Sequence, residues 1–169
     1  YCACANLSNM NLSGMDLTGI DLRGANLQNT TLDYATLDGA DLRSIVAYNA
    51  SFIHAGMNDT YLQNAEFNTI NFAQCDGYCG AANLTNAYLQ DADLTDADFR
   101  YVDLTGAQLD RADLTNSGLF MAKLINADFD RCDLTDATLY NADLTNAYLQ
   151  YADLTNAHLS YVDLTDAYL

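Results

Sequence analysis

A large apolar residue recurs at every fifth position of this chain, and few folds can bury such a set. The first series runs through Leu7, Leu12, Leu17, Leu22, Leu27, Leu32, Leu37 and Leu42, then Ala47, Phe52, Met57, Leu62, Phe67 and Phe72. A second series starts at Leu84 and holds to Leu169. Neither the 3.6-residue period of an α-helix nor the two-residue period of a strand keeps such positions on one side. A chain that turns a corner after each of them does. Four sides then close a square coil of about twenty residues, with coils stacked about 4.8 Å apart through strand-type hydrogen bonds. Proline would delete a donor from those rungs, and the sequence has none.

The two series are out of step. From Phe72 to Leu84 is twelve residues, two more than two repeats require, so the frame slips within AQCDGYCGAAN, residues 73–83. The spacing predicts a single solenoid domain over 1–169, with a first repeat series at 1–72, the slip at 73–83 and a second series at 84–169. With one unit placed across the slip, about 34 units give about 8.5 coils and a rod about 40 Å long.

The closing stretch ADLTNAYLQYADLTNAHLSYVDLTDAYL shows the unit most clearly. An Ala usually stands two residues before each centre, small enough for the inside of a corner, and the remaining positions are mostly polar. This pattern resembles the pentapeptide repeat family, whose motif is roughly Ala-(Asp/Asn)-Leu-x-x, and the resemblance spans about Ala3 to Leu169. It implies an all-β fold, the right-handed quadrilateral β-helix of about eight coils. Function is not fixed by that fold. Some members resemble duplex DNA in charge, width and shape, and bind DNA gyrase to give fluoroquinolone resistance. Those proteins usually dimerise through a C-terminal helix and often carry projecting loops. Here no helical segment follows Leu169, and the slip counts as only two residues.

Within the second series the core centres are Leu84, Leu94, Leu104, Leu114, Leu134, Leu144, Leu154 and Leu164, among others. The phrase Asp-Leu-Thr returns every ten residues, so it falls on two opposite sides of the square. One side stacks Asp93, Asp113, Asp133 and Asp153. The other stacks Asp103, Asp143 and Asp163, with Lys123 interrupting the column. Like charges about 4.8 Å apart repel by about 0.9 kcal/mol in water, so raised carboxylate pKa values are expected along both columns. Asx-type hydrogen bonds to backbone N–H groups at the corners are the simplest offset. A divalent cation or a basic partner would be another, although a single column supplies poorly the six to eight oxygens that Ca²⁺ needs. The other two sides carry tyrosines. Tyr148 stacks on Tyr168, and Tyr88, Tyr101, Tyr140, Tyr151 and Tyr161 point outward, as ladder packing or as a lateral contact surface.

The formal net charge of −17 argues against direct binding to nucleic acid or an anionic membrane. No apolar run is long enough to cross a bilayer as a helix. Of the five cysteines, Cys132 occupies an inward small-residue position. Cys75 and Cys79 sit inside the slip, where a disulfide would close the bulge and mark an oxidising compartment. Cys2 and Cys4 lie too many coils away to join them, which leaves them free or available for an intermolecular bridge. His54 and His158 are on different coils. No catalytic constellation, phosphate loop or metal-ligand spacing stands out, so the reading is of a non-enzyme with no cofactor and no metal.

Two further expectations concern assembly and place. Both ends read as open coils, and a bare coil end is a template for another copy. This points to a structural protein that stacks head to tail into a filament, on a cell surface or outside the cell. The chain opens at Tyr1, in keeping with a removed leader or a piece of a longer protein. The alternatives are a decoy for DNA gyrase and a general protein-interaction module of the periplasm, thylakoid lumen or cytoplasm.

Overall fold

A computed structural model describes residues 5–67, 70, 72 and 81–169, and shows a right-handed quadrilateral β-helix. Its unit is a corner. At nearly all the described centres the carbonyl accepts the amide three residues on, as from Met10 to Leu7 at 3.2 Å and from Ala107 to Leu104 at 3.0 Å. The second of the two residues between has positive φ, for example Asn9 at 61° and Gly106 at 69°. Such a turn resembles type II, in which the third residue must adopt a left-handed conformation.

Between corners each side is only long enough for one parallel bridge to the coil above. Asn6 pairs with Asn26, Asp113 with Asp133 and Tyr148 with Tyr168. The hydrogen bonds of a side run both ways along the axis. Leu94 donates to the Asp113 carbonyl at 2.7 Å, and Asp113 donates back to Ala92 at 3.0 Å. Each rung satisfies the backbone of a segment that has only five residues in which to do so.

The inward series forms one continuous core. Leu84, Leu94, Leu104, Leu114 and Leu134 are 0% exposed and Leu144 is 1% exposed. Leu154 is half-buried and Leu164 is 38% exposed, and both lie in the uppermost described coil. Alanines two residues before the centres line the corners and are buried with them, as Ala92, Ala112 and Ala142 are. Five phenylalanines replace leucine, and four gather near the slip. Phe52 contacts Phe67 and Phe72, and Phe72 stacks on Phe99 at 4.8 Å. Ala47 sits in the same coil as Phe52, a small residue that makes room for the large one.

The slip is larger than the sequence count suggests. Paired residues are twenty apart from Asn6↔Asn26 to Val46↔Glu66, but 27 apart at Gly56↔Asn83, Tyr61↔Tyr88 and Glu66↔Asp93. The corner after Phe72 agrees, for the Phe72 carbonyl accepts the amide of Ala82, ten residues on, where Phe52 accepts that of Ala55, three on. Seven residues are therefore inserted into one corner, and Leu84 is the very next centre after Phe72. The count of two extra residues, with a unit between, is corrected. A frame shift by seven and a shift by two look alike in a period of five. From Leu7 to Leu169 the chain makes eight coils.

Every inward centre contacts mainly its own coil and its neighbours, so a buried charge cannot be relieved by distant rearrangement. Leu144→Asp is expected to cost about 3–5 kcal/mol by leaving an unpaired carboxylate in the core, read as a lowered urea midpoint against the unsubstituted protein.

Candidate functional site

The cavity at the upper end of the core is lined by leucines alone, Leu139, Leu149, Leu159 and Leu169 among them, so the chemistry of the described residues lies on the four sides. Following the bridges assigns them. Face A carries Asp16, Thr36, Gly56, Asn83, Asp103, Lys123, Asp143 and Asp163 in a column. Face B, next around the coil, carries Asp21, Asp41, Tyr61, Tyr88, Gln108, Asp128, Tyr148 and Tyr168. Face C, opposite A, carries Asn6, Asn26, Val46, Glu66, Asp93, Asp113, Asp133 and Asp153. Face D carries Asn11, Thr31 and Ser51 below, and Asp98, Gly118, Thr138 and His158 above.

Face C therefore holds five successive carboxylates, because Glu66 pairs with Asp93. Sequence reasoning missed Glu66. Its place depends on the length of the insertion, which the repeat period alone leaves ambiguous. At the lower end of the run the Tyr48 hydroxyl donates to Glu66, and Val46 beneath it is neutral.

The carboxylates are held by their own corners. On face C, Asp93, Asp113, Asp133 and Asp153 each accept the amide of the Thr two residues on, at 2.9–3.1 Å. On face A, Asp163 accepts both the Thr165 amide at 2.9 Å and its hydroxyl at 2.6 Å, and Asp143 does the same with Thr145. Asn83 makes the identical pair of bonds with Thr85 at 3.0 and 2.6 Å. The corner thus needs the Oδ1 acceptor and does not need the charge.

At Asp103, Asp153 and Asp163 the direction is opposite to the one expected from like-charge repulsion. The hydroxyl and amide of Thr155 hold the Asp153 carboxyl below its usual range, and Thr165 does so for Asp163. At Asp103 burial pushes the other way, but Thr105 and Lys123 outweigh it and the net direction is down. Donors on the ionised form, fixed in place by the turn, win over neighbours whose repulsion water screens. The strongest case is Asp21 on face B. Bonds from Arg23 bring it down to about 2.

All six cations of the chain lie beside carboxylates. Arg23 and Arg43 pair with Asp21 and Asp41, and Arg100 pairs with Asp98. Arg111 pairs with Asp91 and Asp110, Lys123 with Asp103 at 3.2 Å, and Arg131 with Asp130 at 3.4 Å. Among the described residues, none of them stands in the face C column.

The aromatic residues divide between two sides. On face B, Tyr61 stacks on Tyr88 at 5.0 Å and Tyr148 on Tyr168 at 4.9 Å. On the upper part of face D and its following corner, Tyr101, Phe120, Tyr140 and Tyr161 make an unbroken run of ring contacts at 5.3–5.5 Å. Tyr151, 83% exposed, lies on the corner after face B under the Arg131 guanidinium.

Backbone strain divides the corners in the same way. After faces A and C, every described left-handed position is Gly, Asn or Asp, the residues that tolerate it most readily. After faces B and D, Gly14, Gly24, Asn64, Asp91 and Asn141 share the position with Tyr34, Ser44, His54, Tyr101, Arg111, Met121, Arg131, Tyr151 and Tyr161, on which the same conformation is imposed. Each such residue costs about 1–2 kcal/mol relative to an ordinary conformation.

Cys132 is buried and free, its thiol donating to the Leu109 carbonyl at 2.7 Å, and burial pushes its pKa up to about 12. It is a core residue with little thiolate to offer. Cys2, Cys4, Cys75 and Cys79 lie outside the described residues. His54 stacks on Tyr34, and His158 sits 2.9 Å from the Ser160 hydroxyl. Among the described residues, no three His, Cys, Asp or Glu side chains gather as a metal site would require, and no helix is long and apolar enough to cross a membrane.

The repeated corner, the small inward residue and the Asp-Leu-Thr sides together define a known class of solenoid. A family model for pentapeptide repeats matches residues 5–43, 78–116, 122–150 and 139–169, and the chain belongs to that family. Among solved structures it is similar to HetL, a pentapeptide repeat protein involved in heterocyst differentiation regulation in the cyanobacterium Nostoc sp. strain PCC 7120. The two are 28% identical over 97% of this chain and 84% of that one, with a TM-score of 0.53. It is also similar to a trypsin-treated variant of QnrB1, a plasmid-mediated fluoroquinolone resistance protein. There the identity is 18% over 97% of this chain and 83% of that one, and the TM-score is 0.60. No curated protein matches it in sequence.

Carboxylates with depressed pKa values stabilise the fold fully above the unfolded carboxylate value, about 4. That contribution drains away as the pH falls through the folded values toward about 2, where Asp21 titrates. The melting temperature is therefore expected to hold steady from neutral pH down to about pH 5 and to fall between about pH 4 and pH 2. Thermal melts followed by circular dichroism check this. A maximum near pH 4 would instead mean that repulsion along the columns dominates.

Proposed function

We propose that this protein is a non-catalytic binding rod whose face C takes a basic, DNA-binding surface of a partner, with DNA gyrase as the specific candidate. The supporting observation is the run of Glu66, Asp93, Asp113, Asp133 and Asp153 in one column with no cation among them. The column carries one carboxylate per about 4.8 Å of rod length, against one phosphate per about 3.4 Å of helix axis on one strand of DNA. At the upper end of the column the Thr155 hydroxyl and amide hold the Asp153 carboxyl below its usual range. The shared fold with a fluoroquinolone resistance protein is in keeping with the same partner class.

End-to-end stacking into a filament is the reading that a uniform repeat suggests first. It makes no use of the lateral faces, and leaves the carboxylate column without a role. Negative-stain electron microscopy distinguishes the two readings. Discrete particles about 40 Å long accord with a binding rod, and extended fibres with assembly.

The direct test is inhibition of gyrase supercoiling by the purified protein. Asp93→Asn, Asp113→Asn and Asp133→Asn combined keep the corner acceptor, as Asn83 shows, and remove only charge. The triple variant is expected to fold normally and to need at least about tenfold more protein for the same inhibition, an effect that salt reproduces in the parent. Unchanged inhibition by the variant, or none by the parent, rejects the proposal.

A further inference from the structure

Face D offers a second surface of a different kind. In its upper half Tyr101, Phe120, Tyr140 and Tyr161 form a continuous strip, with Met121 beside it. Met121 is 45% and Tyr161 78% exposed. Three of these five side chains, those of Tyr101, Met121 and Tyr161, are carried on left-handed backbone, at φ 63°, 54° and 60°. The equivalent position one coil up from Met121 is Asn141, with φ 57°. An asparagine therefore fits this corner, and the bulky residues hold their places for what their side chains present.

The border of the strip is acidic apart from Lys123. Asp103, Asp143 and Asp163 stand on face A, just past the corner that carries Tyr101, Met121 and Tyr161, with Lys123 between Asp103 and Asp143 and paired with Asp103, so that Asp143 and Asp163 are the open carboxylates of this margin. Asp96 and Asp136 occupy the corner on the other side of face D, between it and face C. An apolar strip with carboxylates along both margins is complementary to an apolar stripe with cations along both margins.

We infer that this strip docks a cationic amphipathic segment of a partner protein, with apolar side chains on the rings and Lys or Arg on the flanking aspartates. A second copy of this chain fits poorly, since it would bring −17 against −17. Aromatic anchors at the centre with screened charge at the rim is the usual division of labour in such contacts. The inference stands apart from the reading of face C, because it concerns different residues and a partner with an apolar component.

The test compares two labelled probes by fluorescence anisotropy, a short amphipathic peptide of leucine and lysine and an oligolysine of equal charge. The parent is expected to bind the amphipathic peptide at least about tenfold more tightly than the oligolysine. Met121→Asn combined with Tyr161→Asn is expected to abolish that preference while leaving oligolysine binding as it was. The same double variant should melt no lower than the parent, since asparagine suits the left-handed corner. Equal binding of the two probes by the parent, or a preference that survives the double variant, overturns the inference. So does a large fall in melting temperature, which would show that the side chains serve the ladder instead. Self-association of the parent that disappears in the double variant, seen by analytical ultracentrifugation, would assign the strip to a second copy and overturn it equally. The face C triple variant is expected to leave the peptide preference intact, so the two proposals fail separately.

Discussion

The structure depends on one local event, the closing of a four-residue turn after an inward side chain, repeated along the rod on both sides of the insertion. The hydrogen bond from centre to next corner, such as Ala107 to Leu104, fixes the right angle. The left-handed residue inside the turn permits it. Once that angle recurs every five residues, side chains such as Leu94, Leu104 and Leu114 have nowhere to go except the axis, and their burial is worth about 1.5–3 kcal/mol each. Outward positions are equally determined. A residue preceding a centre has no choice of side, and its neighbours along the rod are set by the length of one coil.

Much of this is legible from residue order alone. The interval of five fixes the inward positions in both halves, and the ten-residue return of Asp-Leu-Thr fixes two opposite acidic sides above the insertion. Legibility fails where distance along the rod, and not along the chain, decides the outcome. The insertion between Phe72 and Ala82 is seven residues, yet any shift that leaves the same remainder on division by five gives the same pattern. That ambiguity hides Glu66, which belongs to the column of Asp93. The lowered pKa values of Asp153 and Asp163 escape sequence reasoning for a related reason. Repulsion between column neighbours can be anticipated from their spacing, but the geometry of a donor such as the Thr165 hydroxyl, 2.6 Å from Asp163, belongs to the folded turn.

The four sides also differ in how easily their corners form. Sides A and C end in Gly, Asn or Asp, and the turn closes at little cost. Sides B and D force the same turn on tyrosine, arginine and methionine. A rod of this kind can carry such residues because the core over-determines the backbone. Regular acidic sides with relaxed corners and irregular aromatic sides with strained ones thus share one scaffold, and surface chemistry varies while the axis does not.

The insertion shows how loosely register and length are tied. Coils on either side of it pair as well as any others, with Glu66 opposite Asp93 as Asp113 is opposite Asp133. Gain or loss of genetic material in such a chain thus acts as a rotation. Twenty residues more or fewer would change the height of the rod and preserve every column. Ten would turn everything beyond by half a revolution, exchanging the two acidic flanks, and five would swing an acidic flank into line with an aromatic one. Duplication in whole turns is the route by which a protein of this design could grow taller while presenting the same surface to whatever it meets.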